Sequence, residues 1–171
     1  GFKRTSLIMI KYLIQLHFAV FLAGFTGVFG RLISYDAFTL VLLRFTVAAV
    51  AVVAYVYFTK RLVYFDLKSK LKTIFVGGLL CLHFIFFYLS IKLSNISIGT
   101  ITIAATCFFT TAFEPIILKT RFKPTNLIYG LIIIAGLLLI FNFDTKFRLG
   151  IIIGFISAMF SSLYSIYNKK F

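Results

Sequence analysis

Three threonines and a glutamate follow one another at intervals of four residues within an apolar stretch. They are Thr102, Thr106, Thr110 and Glu114, and on a helix this spacing places them on one face. Hydroxyls and a carboxylate lining a cavity can bind a polar small molecule or a cation, or pass a proton. Alternatively, each threonine can donate to the carbonyl four residues earlier or bridge to a neighbouring helix. The sequence leaves both interpretations open.

Glu114 is followed by Pro115, which has no amide proton and therefore frees the carbonyl of Thr111 four residues upstream. A kink with free carbonyls beside a carboxylate would suit cation or proton binding. The simpler alternative is that Glu114 lies near the cytoplasmic surface and pairs with Lys119 or Arg121.

Arg44 is an isolated charge in the apolar segment Leu42-Leu43-Arg44-Phe45. An arginine near the centre of a membrane helix costs about 2.5–3.5 kcal/mol on insertion scales, so it needs a water-filled cavity or a polar partner. Arg44 is therefore a candidate for a substrate path or a counter-ion. The alternative is that its side chain extends toward Tyr35 and Asp36 and only anchors the helix.

Histidine side chains can carry protons near neutral pH, which makes His17 and His83 candidates for the same path. The alternative for each is a hydrogen bond to a neighbouring helix. The two lack the spacing of a metal-binding His-x-x-x-His motif. The four acidic residues are scattered, and Cys81 and Cys107 lie inside apolar runs. The sequence therefore predicts no enzyme, no cofactor and no metal site.

The elements that carry these side chains must be membrane helices. Of the 171 residues, 61% are hydrophobic and 13% are charged, whereas soluble domains are about half apolar and a quarter charged. Six runs approach the ~20 residues that cross a bilayer. They are Tyr12–Ile33, Ala37–Thr59, Thr73–Leu93, Ser97–Leu118, Asn126–Phe143 and Leu149–Tyr167. Because the runs lack an alternation of period two and lipid offers no hydrogen bonds, each should be an α-helix.

The positions of the basic residues explain the net charge of +14 without nucleic-acid binding. With the N-terminus in the cytoplasm, thirteen of the 18 basic residues fall on the cytoplasmic side. These are Lys3, Arg4, Lys11, Lys60, Arg61, Lys68, Lys70, Lys72, Lys119, Arg121, Lys123, Lys169 and Lys170. Such a bias sets orientation, so we expect an inner-membrane protein with its N-terminus and Lys169-Lys170 end in the cytoplasm. Tyrosines 12, 35, 57, 88, 129 and 167 fall near the expected interfaces.

Small residues indicate two surfaces of helix packing. Gly24 and Gly27 lie in the first run, and Gly150, Gly154 and Ala158 form a seam of period four in the sixth, continued by Ser162. Such seams let two backbones approach closely. We expect this seam to be an interface with a second repeat, whose helices this chain could lack.

The order of these features resembles the EamA family of the drug/metabolite transporter superfamily. The resemblance is carried by Gly24-Phe-Thr-Gly27 with Phe29-Gly-Arg31, Leu43-Arg44-Phe45, Ser90 to Ser97, Glu114-Pro115, Gly130 with Ala135-Gly136, Gly154 to Ala158, and Leu163 to Lys170. Members typically have ten helices in two five-helix repeats. The resemblance implies that residues 1–144 form one repeat and that 148–171 form the first helix of an inverted, truncated second repeat. The basic link from Pro115 to Pro124 lacks the Gly-Glu pair that many members carry.

The resemblance also implies a function. The chain would be the N-terminal part of a secondary transporter that moves small metabolites or drugs by alternating access. Its partners would be membrane lipid, a small-molecule substrate, and either the missing second-repeat helices or a dimer partner. Alone, the chain should transport little. The alternative is a non-transporting membrane scaffold or subunit that pairs through the small-residue seam of the sixth helix.

Overall fold

The computed structural model describes residues 2–60, 66–121, 124–142 and 147–171, and the secondary structure in these ranges is helical. The helices are α1 (Phe2–Leu32), α2 (Ala37–Thr59), α3 (Leu67–Leu93), α4 (Ile96–Thr102), α5 (Ala105–Leu118), α6 (Pro124–Asn142) and α7 (Arg148–Lys170). Several expectations fall outside the described residues. They are the helix end at Phe143, the repeat boundary at Asp144, and the basic residues Arg61 and Lys123.

Five stretches of the described chain are long and apolar enough to cross a membrane. They are Met9–Leu32, Ala37–Thr59, Leu67–Leu93, Ile96–Leu118 and Arg148–Lys170, so the expectation of an all-helical, multi-pass membrane protein is confirmed. α2 has the bounds predicted for it. α3 begins six residues earlier than predicted, at Leu67 rather than Thr73, because a helix continues through polar residues that hydropathy assigns to a link. α6 starts on Pro124, and the first helical position does not need its amide proton.

The predicted fourth helix, Ser97–Leu118, is two helices, α4 and α5. At their junction, amides of residues 103, 104, 106 and 107 donate to carbonyls three residues earlier, at 2.8–3.3 Å. The Thr102 hydroxyl also donates to the carbonyl of Gly99 at 2.9 Å. Bonds of this spacing tighten the chain into a 3₁₀-like turn, in a stretch rich in β-branched residues, which favour helix weakly. Ile103 keeps helical dihedral angles (φ −59°, ψ −30°), so the two helices continue as one span.

The N-terminus of α2 is capped by Asp36. Its Oδ2 accepts from the amides of Phe38 at 3.0 Å and Thr39 at 3.2 Å, and its Oδ1 accepts from the Thr39 hydroxyl at 2.5 Å. These bonds, first the one from the Thr39 hydroxyl, hold the pKa of Asp36 below its ordinary value. The cap therefore fixes where α2 begins and keeps a negative charge at the positive end of the helix dipole.

α7 lies at the centre of the arrangement and packs on two sets of helices. It runs antiparallel to α3, its most extensive contact, and parallel to α4 and α5 on an adjoining face. α1 and α2 pack on α3, and α6 packs on α5. In the most apolar part of each span, 39% of residues are buried in α3 and in α7, but only 11% in α1 and 17% in α2. α3 and α7 therefore form the core.

The two ends of the bundle are named by residues that lie there. At the Ser34 end, α1 leads into α2, α3 leads into α4, and α7 begins. The Lys92 ammonium donates to the carbonyl of Ile33 at this end, at 2.5 Å. At the Lys60 end, α2 and α5 finish and Lys169 of α7 meets Glu114 of α5.

Candidate functional site

Arg44 lies seven residues into α2, and its guanidinium reaches both α1 and α3. Nη1 donates to the Thr26 hydroxyl of α1 at 3.3 Å and to the Tyr88 hydroxyl of α3 at 3.2 Å. Its Cζ atom lies 4.0 Å from the centre of the Phe84 ring, a cation–π contact. Arg44, Thr26, Phe84 and Tyr88 together are termed the Arg44 cluster. Its three partner side chains are uncharged.

The Arg44 side chain thus bonds across helices and does not follow the alternative path toward Tyr35 and Asp36. Asp36 is instead engaged by the N-terminus of its own helix. Among the described residues, Nε and Nη2 of Arg44 make no hydrogen bond. A guanidinium has five N–H donors, so this one keeps donors available beyond its contacts with the described residues.

Tyr88 reaches Arg44 because α1 carries a glycine where the two helices meet. A Cβ atom at Gly30 would lie 2.5 Å and 2.6 Å from two atoms of the Tyr88 ring. Tyr88 is only 5% exposed, whereas Tyr57 is 77% exposed. The Tyr88 ring is therefore buried between helices, with its hydroxyl directed at a cation, and its depth relative to a membrane interface stays a prediction.

His83 lies in the contact between α3 and α7 and is 7% exposed. Its Nδ1 is 3.0 Å from both the carbonyl oxygen and the hydroxyl oxygen of Ser157, and the Ser157 hydroxyl donates to the His83 carbonyl at 2.9 Å. A proton on Nδ1 is the assignment that satisfies all three contacts. The pair therefore joins the two central helices by polar bonds within an apolar interior.

The threonines of the predicted ladder face α7. Thr102 is fully buried against Gly154, where an added Cβ would lie 2.8 Å from the Thr102 Cβ. The Thr110 hydroxyl donates to the Ser162 hydroxyl at 3.0 Å. Gly154 lies 52 residues after Thr102, and Ser162 lies 52 residues after Thr110. A constant offset of this kind is expected for two helices that run in parallel. Thr102 and Thr110 are therefore residues of a helix–helix contact.

Thr106 lies between those two threonines and differs from both. Its hydroxyl oxygen is buried and has no hydrogen-bond partner among the described residues. The offset of 52 residues places Ala158 of α7 opposite Thr106. Ala158 is fully buried and has no polar side-chain atom. The ladder thus contains one buried hydroxyl that is unsatisfied.

Glu114 forms an ion pair with Lys169 of α7, at 2.7 Å between Oε1 and Nζ. The sequence predicted Lys119 or Arg121 as the partner, and this is wrong because α7, which packs on α5, brings Lys169 to the carboxylate. Glu114 is 32% exposed and Lys169 is 68% exposed. The pair therefore fastens α5 to α7 at the Lys60 end, within reach of solvent.

His17 and Gly24 are not brought to any of these contacts. His17 is exposed, and its Nδ1 lies 2.7 Å from the Leu13 carbonyl of its own helix. A Cβ at Gly24 would meet nothing within 4 Å, so Gly24 makes no close helix contact within the described chain, contrary to expectation. Gly27 does lie in a contact, since its added Cβ would be 3.2 Å from the Thr100 hydroxyl.

The small-residue seam of α7 is covered within this chain. An added Cβ at Gly150 would lie 2.6 Å from the Ser94 Cβ, and the Ser90 hydroxyl donates to the Gly150 carbonyl at 2.6 Å. Ala158 and Ser162 are fully buried. The expectation that the partner of this seam is absent is wrong, because α3, α4 and α5 occupy it. A scaffold that pairs through an open seam is therefore not favoured.

The sequence interpretation missed the partners Thr26, Tyr88, Ser157 and Ser162 of its own candidates. A signal was present for the serines, because small polar residues inside apolar runs are typical of helix contacts in membranes. No such signal distinguishes Tyr88 from the other tyrosines. In the described ranges, no three His, Cys, Asp or Glu side chains come together in a way that could hold a metal ion.

Comparison with known protein families gives one match, and it includes the residues described above. The model of the EamA-like transporter family matches residues 10–142, which include the Arg44 cluster and end before α7. Neither curated proteins nor solved structures gave a match.

Proposed function

The chain belongs to the EamA-like transporter family of the drug/metabolite transporter superfamily, and we propose that it carries out secondary transport of small metabolites or drugs across the inner membrane. The observation that carries this proposal is Arg44. A cation inside a membrane span, held by uncharged groups of the two neighbouring helices α1 and α3, needs water or a polar ligand beside it. A path for polar molecules supplies both.

We further propose that α1 to α6 form one repeat and that α7 is the first helix of an inverted second repeat. The family match ends at residue 142, just before α7 begins, which supports this division. α6 would then cross the membrane as well, and the bias of basic residues toward the Lys60 end supports a cytoplasmic N-terminus. Further second-repeat helices, or a dimer partner, would complete the path.

Alternating access would proceed by movement of α1 and α2 against the α3–α7 core. Both helices pack on α3 and are less buried than α3 and α7, which supports this, although the α4–α5 span, at 11%, is as little buried as α1. Near the Ser34 end, one hydrogen bond of Arg44 joins α2 to α1 through Thr26, and the other joins α2 to α3 through Tyr88. Such movement would break the bond from Arg44 to Tyr88, which places the arginine where a bound substrate could control opening.

Transport can be tested in liposomes loaded with a small-molecule extract, with release of each compound followed by mass spectrometry. Two proteins are reconstituted, namely the 171-residue chain and the chain continued to the end of its reading frame. We expect the continued protein to release a defined subset of compounds and the shorter chain to release little. Arg44→Gln should abolish release.

The matched control is Arg148→Gln, since Arg148 is an exposed arginine at the start of α7 and lies outside the Arg44 cluster. Its variant should release the same compounds as the wild type. Both variants must elute as monodisperse proteins before their fluxes are compared. If the continued protein releases nothing above empty liposomes, the proposed function is wrong.

A further inference from the structure

We infer that the Arg44 cluster binds the carboxylate group of the transported molecule, an inference that rests on the proposed function and gives its substrate class. The first argument is the free edge of the guanidinium. Nη1 is engaged by Thr26 and Tyr88, whereas Nε and Nη2 make no hydrogen bond within the described part of the chain. These two nitrogens form a planar fork that matches the two oxygens of a carboxylate.

The second argument concerns the carboxylates of the chain itself. Asp36 accepts three hydrogen bonds at the start of α2, Glu114 pairs with Lys169, and Asp66 precedes α3 at the Lys60 end. In the described ranges, no acidic side chain therefore neutralises Arg44. A charge in a low-dielectric region is stabilised strongly by an opposite charge at short distance, so an anionic ligand supplies what the described part of the chain does not.

The third argument is that the site is built before a ligand arrives. The Phe84 ring supports one face of the guanidinium, and Gly30 leaves room for the Tyr88 ring. The Tyr88 hydroxyl accepts from Nη1, which leaves its own proton available for a ligand oxygen. A preorganised site loses less conformational entropy on binding.

The size of the charge favours a carboxylate over a phosphate. The cluster presents one positive charge, which a carboxylate balances and a doubly charged phosphate exceeds. Two other cations near the Ser34 end donate to backbone carbonyls, Arg31 to those of Ile91 and Lys92, and Lys92 to that of Ile33. A third, Arg148, is exposed at the start of α7 and lies outside the cluster. These cations raise the local positive potential, which attracts anions, but they add no donors to the fork formed by Nε and Nη2 of Arg44.

The test is protection of Arg44 from phenylglyoxal, which modifies exposed arginines. The purified wild-type protein, reconstituted in lipid nanodiscs, is treated with phenylglyoxal, and the rate at each arginine is measured by peptide mass spectrometry. The probes are acetate and benzoate, with acetamide and benzamide as uncharged controls and inorganic phosphate as a third arm. Arg148 is the internal control, because it is an exposed arginine outside the cluster.

We expect the carboxylates to slow modification of Arg44 at least fivefold at saturation, with the amides inactive and Arg148 unaffected. Tyr88→Phe should raise the carboxylate concentration needed for half-protection at least threefold. Absent protection, or equal protection by the amides, would overturn the inference. Protection by phosphate at lower concentration than either carboxylate would overturn the assignment to carboxylates.

This measurement separates the inference from the proposed function because it detects binding without flux. Protection of Arg44 in a protein that moves nothing across a liposome would support the binding site and contradict transport. Flux that Arg44→Gln leaves unchanged, together with no protection, would support transport and contradict the binding site.

Discussion

Thr110 donates its hydroxyl to Ser162 across the contact of α5 with α7, at 3.0 Å. One turn earlier on α5, the buried Thr106 hydroxyl has no partner among the described residues. The two threonines lie on the same face of α5, yet the hydroxyl of Thr110 makes a hydrogen bond and that of Thr106 makes none to the described residues. This contrast gives a matched pair of substitutions.

Thr106→Val and Thr110→Val should differ in their effect on stability, and only Thr110→Val should lower it. Valine at 106 removes an unsatisfied buried hydroxyl while keeping the shape, so the melting temperature should stay the same or rise. Valine at 110 leaves the Ser162 hydroxyl without its donor, at a cost of about 1–3 kcal/mol. Thermal unfolding in detergent, followed by circular dichroism, measures both. Equal losses for the two variants would contradict the assignment of Thr106 as unsatisfied.

Gly154→Ala should destabilise the protein because the new methyl group would enter the space of Thr102, whose Cβ and Cγ2 would lie 2.8 Å and 2.9 Å away. Gly24→Ala is the control, since its methyl group meets nothing within 4 Å. In a helix interior alanine is favoured over glycine by about 0.5–1 kcal/mol. The melting temperature should therefore fall for Gly154→Ala and hold or rise for Gly24→Ala.

Adding Thr102→Ala to Gly154→Ala should restore part of the lost stability, because it removes the two outer atoms of the threonine side chain. Residues in contact show coupled effects of this kind. If the double variant lost the sum of the two single effects, Thr102 would not be the residue that Gly154 accommodates.

Glu114→Gln should lower stability by no more than ~1 kcal/mol, the usual range for an ion pair open to solvent. Lys169, its partner, is 68% exposed. Exchanging the charges in the double variant Glu114→Lys with Lys169→Glu should recover what either single substitution loses. Melting temperatures at low and high salt provide the measurement, with Lys170→Gln as a control. A large loss that salt does not reduce would show that Glu114 has a role beyond this pair.

The cap of α2 predicts a dependence of stability on pH. Hydrogen bonds from Thr39 and Phe38 hold the pKa of Asp36 below its ordinary value of 3.8. The ionised cap therefore contributes stability above that value, and the contribution is lost as the pH falls through the lower folded-state pKa. Asp36→Ala should lower the melting temperature at pH 6, and its difference from wild type should shrink below pH 3.8. A difference that stays constant down to pH 3 would contradict the role of the ionised carboxylate.

Helix positions could be predicted from the sequence because hydropathy follows the thickness of a bilayer. α2 has the expected bounds since Asp36 caps its start and a polar residue, Lys60, follows its end. α3 begins before its expected start at Thr73 because backbone hydrogen bonds of a helix can continue beyond the apolar part of the membrane. The junction of α4 and α5 could not be predicted, since it depends on the hydroxyl of Thr102 and on contact with α7.

The partners of the candidate residues were harder to predict than the residues themselves. Arg44 was identified because a lone charge in an apolar run is costly. Its partners Thr26 and Tyr88 are 18 and 44 residues away in the sequence. When a helix is apolar on all sides, its pattern does not show which face packs on a neighbour. The sequence can therefore single out candidate residues, but it cannot predict the contacts that they make.

The constant offset between α7 and the α4–α5 span limits how the length of α7 can vary. A helix turns about 100° per residue, so one residue inserted between Gly154 and Ser162 would leave Gly154 against Thr102 and rotate Ser162 and Lys169 away from α5. An insertion of seven residues, close to two whole turns, would restore the direction of these side chains but move them about 10.5 Å along the helix axis, away from Thr110 and Glu114. Length variation in this helix should accordingly be confined to its two tips.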